Sequence, residues 1–117
     1  MVINVTLPIK IISEANTRCH WREKSARFKQ HRQTARLMMA VEAGPAPGAP
    51  GIIITLTRIA PRELDDDNLA SGFKGVRDGV ADWLGIDDGS KRLKWLYEQR
   101  KGPAGVYEAE VAVDEAL

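Results

Sequence analysis

Hydrophobic residues recur along this chain with two periods, and the changes of period divide it into elements. In "VINVTLPIKII", residues 2–12, Val5, Leu7, Ile9 and Ile11 fall on every second position among β-branched neighbours. That spacing predicts a first strand, bent at Pro8 and lying at a sheet edge. "SARFKQHRQTARLMMAVEA", residues 25–43, contains good helix formers and no Pro or Gly. It predicts a helix with a basic surface and Phe28, Leu37, Met38 and Val41 turned to the core. "GPAPGAPG", residues 44–51, can be neither helix nor central strand and reads as a flexible connector within one domain.

"IIITLTRIA", residues 52–60, carries the strongest strand signal, with Ile52, Ile54, Leu56 and Arg58 on one side and Ile53, Thr55, Thr57 and Ile59 on the other. It is expected at the centre of a sheet. Leu69, Phe73, Val76, Val80, Trp83 and Leu84 then recur at spacings of three and four, predicting one amphipathic helix closed by Gly85. Gly72, Gly75 and Gly79 share another side of it, where the sheet or a partner subunit, and less readily a DNA backbone, is expected to approach closely. "RLKWLYEQ" and "VYEAEVAV", separated by "RKGPAG", read as a closing β-hairpin. The expected fold is α+β, two-layer, with a small mixed β-sheet and two main helices in the order β-α-β-α-β-β, forming a single domain over residues 1–117.

Composition alters this picture only through the distribution of charge. The formal net charge is +1. Yet residues 18–36 hold seven Lys or Arg against one Glu, residues 61–90 hold eight acids against three bases, and residues 91–103 hold five bases against one acid. Single Cys19 excludes an internal disulfide and an all-cysteine metal site. With no long apolar run and no signal-peptide pattern, a cytoplasmic protein without a membrane span is expected.

The acidic island asks for compensation, because Asp65, Asp66 and Asp67 are adjacent at a strand-to-helix junction. A helix N-terminus accounts for one or two of them. Asp87 and Asp88, beyond the far end of the same helix, oppose its dipole and invite a cation. An EF-hand fails, since its fifth and twelfth positions would be Leu69 and Val76. Magnesium, which needs only one to three carboxylates and completes its shell with water and phosphate, suits Asp65 and Asp67, with Asp88 returning to them. Along a continuous helix Asp67, Lys74 and Asp78 would form a polar stripe opposite the core face. His20, Trp21 and His31 have no second ligand at metal spacing, so packing or DNA contact suits them better.

"DDDNL", "KGVRDGV" and "LGIDD", in this order, resemble the RusA family of Holliday-junction resolvases over about residues 52–113. A weaker echo lies in "VTLPIKIIS" and Asn16. The resemblance implies a dimeric, Mg²⁺-dependent endodeoxyribonuclease of phage or prophage type that resolves four-way junctions, with Mn²⁺ able to substitute and no small-molecule cofactor. Carried over by position, it makes Asp65, Asp67 and Asp88 the metal ligands and catalytic acids, with Asp66 and Asp87 in support. Lys74 takes the place of the family's lysine only across an insertion, because the ungapped position holds Ser71; Arg77 and Arg62 are substitutes. On this reading the basic stretches bind DNA around the acidic centre: Arg18, Arg22, Lys24, Arg27, Lys29, Arg32 and Arg36 on one side, Lys91, Arg92, Lys94, Arg100 and Lys101 on the other. Two rivals are a non-catalytic DNA-binding module with a structural cation, and a nuclease of relaxed choice acting on forks or flaps.

Overall fold

The structure is a computed structural model and describes residues 2–13 and 21–116; Asn16, Arg18, Cys19 and His20 lie outside the described residues. Among the described residues it is a mixed α and β fold with a four-stranded mixed sheet and three helices. The strands β1 (Val2–Leu7), β2 (Gly51–Ala60), β3 (Leu93–Lys101) and β4 (Glu108–Ala116) lie in the order β1-β4-β2-β3. Helices α1 (Trp21–Met38), α2 (Asp66–Gly72) and α3 (Lys74–Leu84) complete the fold, and a π-helical turn, Met39–Ala43, continues α1.

β2 is central, as its two apolar sides require, and β1 is an edge. At Pro8 a bond from the Ile9 amide to the Leu7 carbonyl closes a three-residue turn. Ile9 and Ile11 nevertheless stay buried in step with Val5 and Leu7. The expected hairpin is replaced by a different pairing: β3 runs parallel to β2, while β4 runs antiparallel to both β2 and β1. A strand buried on both edges needs two partners, and β3 and β4 each supply one. The intervening turn crosses the end of β2, where the Gly102 amide bonds the Ala60 carbonyl.

Within α1 the buried residues are His31 and Ala35, followed by Met39 in the π-helical turn, whereas Leu37 and Val41 are exposed, a correction to the expected core face. The reason is the partner. α1 packs on α3, whose Gly75 and Gly79 admit its backbone: a Cβ on Gly75 would lie 2.6 Å from the Phe28 carbonyl oxygen, and one on Gly79 would collide with the Arg32 carbonyl. The neighbour of these glycines is therefore α1, neither sheet nor second subunit. Gly72 meets the Ile12 carbonyl in the same way. Gly79→Ala is expected to destabilise the fold by about 1–3 kcal/mol, overpacking outweighing the gain in helix propensity. Urea denaturation measures this.

The single long helix expected after β2 is broken at Phe73. Ser71 Oγ donates to the Asp67 carbonyl, a contact that bends helices, and the close approach at Gly72 fixes the bend. Asp67 therefore belongs to a different helix from Lys74 and Asp78. The apolar positions survive the break, with Leu69, Phe73, Val76, Val80 and Leu84 all buried. Gly85 closes α3 with φ 70°, as its position predicts. The connector is held rather than loose: Trp83 Nε1 donates to the Gly44 carbonyl, and Arg92 donates to Ala49 and Pro50. Among the described residues no helix is long and apolar enough to cross a membrane.

Candidate functional site

The route from β2 to the acids is built on a buried arginine. Arg58 is in phase with Ile52, Ile54 and Leu56 and so enters the core face, where it is 7% exposed. Its Nε donates to the Ile11 carbonyl at 2.8 Å and its Nη1 to the Arg62 carbonyl. Burial pushes the guanidinium below its ordinary pKa, yet an arginine stays charged and must be satisfied by such acceptors. Two residues on, the Gln99 amide grips Leu64 from both sides, accepting from its amide at 2.8 Å and donating to its carbonyl at 2.7 Å. Residues 62–64 are thus fixed by side chains from two strands.

Asp65 follows as the N-cap of α2, its carboxylate accepting from the Asn68 amide at 2.8 Å and from Asn68 Nδ2 at 3.0 Å. This gives "DNL" a local meaning: Asn68 orients the first acid and Leu69 anchors the helix in the core. Asp65, Asp66 and Asp67 remain exposed. Each bonded carboxylate oxygen of Asp65 keeps a second lone-pair direction for another ligand.

Asp88 lies elsewhere. Arg77 holds it, with Nε 3.2 Å from the carboxylate and Nη2 donating to its carbonyl, which Trp95 Nε1 also reaches at 2.9 Å. Arg77 further donates to the Tyr97 hydroxyl and stacks over Trp95. Trp95, Tyr97 and Gln99 alternate along one face of β3, so the anchor of Asp88 and the anchor of Leu64 are four residues apart on that strand. That is roughly 13 Å at the usual strand rise. Ligands of one Mg²⁺ lie about 2.1 Å from it, so they are within about 4 Å of each other. The expected convergence of Asp65, Asp67 and Asp88 within one chain is not seen, and among the described residues no group of three His, Cys, Asp or Glu could hold a metal ion.

Lys74 opens α3 and pairs with Asp78 at 3.5 Å, its side chain largely exposed. The described bases are divided among several surfaces. Lys29, Arg32 and Arg36 line one groove beside α3 together with Asp78 and Asp82. There Arg32 forms a two-bond pair with Asp82, at 2.6 and 2.8 Å. The hydrogen bond and charge of Arg32 hold the Asp82 carboxyl below its usual range despite some opposing burial. Arg27 faces a second groove on the other flank of α1. Arg22 lies over Trp21 and Lys24 over Phe28. Arg92 secures the connector, and Lys91 is exposed in the turn before β3. Lys94 alternates with buried Leu93 and so stands on the sheet face away from the core, as does Arg100, which pairs with Glu110 at 2.9 Å. Lys101 ends β3. Arg58 and Gln99 were not candidates from sequence, although an arginine in phase with three isoleucine and leucine positions signals a buried cation.

No family model matches the chain. The chain is similar to an uncharacterized protein of Xylella fastidiosa (strain Temecula1 / ATCC 700964), 43% identical over 82 residues, which cover 62% of this chain and 51% of that protein. The chain thus spans about half the length of the relative it matches.

Proposed function

We propose that this protein is a Mg²⁺-dependent endodeoxyribonuclease that resolves four-way junctions or other branched DNA, with the metal centre at Asp65 and Asp67. The observation that carries the reading is the clamp on residues 62–64. A buried arginine and a bidentate glutamine are spent on holding the short segment that presents the acids, which is how a site is kept in register. The resemblance of "DDDNL", "KGVRDGV" and "LGIDD" to the RusA family supplies the class of reaction.

The donor chemistry fits a hard divalent ion: two exposed carboxylates, one already oriented by Asn68, with the remaining positions left to water and phosphate oxygens. Bound there, Mg²⁺ supplies a water of lowered pKa and a polarised phosphodiester, whose hydrolysis leaves 5′-phosphate and 3′-hydroxyl ends. Lys74 provides positive charge for the phosphate oxygens as their charge develops. Within one chain Asp88 is tied to Arg77 and Trp95, and the turn that carries it is held by Arg92. If one ion takes all three acids, Asp88 comes from a second copy, which makes a homodimer the functional unit and gives two sites for the two strands cut at a junction.

Incubation with synthetic four-way junctions, forks and linear duplex in Mg²⁺ tests the reading, with paired nicks in the junction expected. Binding without cleavage in Mg²⁺ and in Mn²⁺ would leave the non-catalytic DNA-binding module, which the separation of Asp88 from the other acids favours. The shared site has its own test. Asp67→Asn and Asp88→Asn proteins, each inactive, are expected to regain roughly a quarter of the wild-type sites when mixed and allowed to exchange subunits, since half the dimers are mixed and each has one intact site. Acids converging within one chain would give no recovery.

A further inference from the structure

We infer that β3 is the interface between two copies of this chain, pairing antiparallel with the partner's β3 about a two-fold axis at Leu96; its bearing on the metal centre rests on the nuclease reading above. β3 ends the sheet, and among the described residues no strand pairs with its outer edge. Its nine residues run in unbroken register with β2 and contain no proline, so neither brevity, proline nor a bulge blunts this edge. The other edge, β1, has six residues and stops before Pro8. The Ile52 amide donates to the Arg92 carbonyl, and backbone groups alternate between the two edges of a strand, so those of Trp95, Tyr97 and Gln99 point to the open side. Apolar surface accompanies them. Trp95 and Tyr97 are only partly buried although they lie on the helix-covered face, and Leu96 is 39% exposed on the other.

Charge identifies the occupant. With Leu96 on the axis, Lys94 stands directly opposite the partner's Glu98, and Glu98 opposite the partner's Lys94, on either side of a Leu96 pair; on the helical face Trp95 meets the partner's Tyr97 twice. Arg100, opposite the partner's Arg92, is drawn the other way, across β2 to Glu110 at 2.9 Å, while Arg92 is held on the connector. The neighbouring registers lose this match. An axis at Tyr97 sets Lys94 against the partner's Arg100, and one at Glu98 sets that carboxylate against its own copy, both repulsive. A two-fold axis normal to the sheet keeps both helical layers on one side and joins the two sheets into one. The consequence falls on the acids. Gln99, which grips Leu64, becomes the diagonal neighbour of the partner's Trp95, which holds the partner's Asp88. Their separation is about 7–8 Å, against roughly 13 Å between the same two anchors within one chain. Edge pairing thus shortens the gap that separates Asp88 from Asp65 and Asp67 in a single copy.

Sedimentation equilibrium of the full chain, without metal or DNA, tests the interface by itself, and a dimer is expected. Lys94→Glu and Glu98→Lys, both at exposed positions, are each expected to raise the dimer dissociation constant by about tenfold or more, because two attractive pairs become repulsive. Mixed in equal amounts, the two variants are expected to restore the dimer, since the two introduced charges then face each other and the two native ones do the same. Junction cleavage at limiting protein is expected to follow this pattern, falling in each variant and returning in the mixture. A DNA-contact role for Lys94 predicts the opposite for Glu98→Lys, which adds positive charge. Asn4→Glu, on the β1 edge, is expected to leave the dissociation constant unchanged. A parent that stays monomeric with and without junction DNA, its edge kept for a strand of another protein, would overturn the interface. A dimer that neither variant weakens, or that mixing does not restore, would also overturn it, while cleavage by the parent would keep the nuclease reading. The expected association without cleavage of any DNA would remove the nuclease reading and leave the interface in place.

Discussion

Asp67→Asn is expected to reduce Mg²⁺-dependent junction cleavage to the level seen without added metal, while junction binding is kept or tightened. The substitution preserves shape and removes one of two charges from the metal pair, and a hard cation depends on that charge for affinity. Losing the ion forfeits several kcal/mol of transition-state stabilisation, at least about a hundredfold in rate. The residue is exposed and opens a short helix, so loss of the favourable first-turn charge costs under about 1 kcal/mol of stability and does not explain inactivity. Binding tightens because one negative charge near the phosphates is gone. Cleavage and anisotropy measured on the same preparation separate the two effects, and wild-type cleavage by the variant would remove Asp67 from the centre.

Arg58→Ala is expected to lower the unfolding free energy by about 3 kcal/mol and, in the molecules that remain folded, to slow cleavage more than it weakens binding. The change leaves the Ile11 and Arg62 carbonyls without their charged donor and opens space beside β2, losses of about 1–3 kcal/mol each. For a domain of this size that is on the order of 10 °C in Tm. A purely structural role predicts that activity follows the folded fraction. A clamp on the acid-bearing segment predicts an additional fall in kcat at temperatures where the variant is fully folded. Gln99→Leu, which releases Leu64 but leaves Arg58 in place, is expected to repeat the kcat effect with a smaller loss of stability.

The parts of the fold that are legible in the sequence are those set by local period. Alternation in residues 2–12 and 52–60 and the three-and-four spacing from Leu69 to Leu84 locate β1, β2 and the second helical segment, together with most of the residues they bury. Legibility ends where a partner decides. Leu37 and Val41 are as apolar as Ala35 and Met39, but the close seat made by Gly75 and Gly79 turns α1 so that small Ala35 faces inward. The order of β3 and β4 is obscured because a two-strand hairpin and a pair flanking β2 have the same alternation; only the need of β2 for two neighbours decides between them. The helix break at Phe73 depends on Ser71 and on Ile12, which is distant in sequence.

At the candidate site, the exposed acids and the basic character of α1 are readable. What a given base faces is not, since Arg27 and Arg32 are about one and a half turns apart and end on opposite flanks of the helix. Asp88 shows the limit most clearly. A motif fixes the order of its residues along the chain but not their distance in space, and a parallel crossover carries its first and last residues to opposite ends of a strand.

The metal centre itself is tested most directly by soaking crystals in Mn²⁺ and collecting anomalous data at the manganese edge. A peak about 2.2 Å from carboxylate oxygens of both Asp65 and Asp67 is the predicted result. A saturating soak that leaves these two carboxylates bare, or places the ion at Asp78, Asp82 or elsewhere, would contradict it.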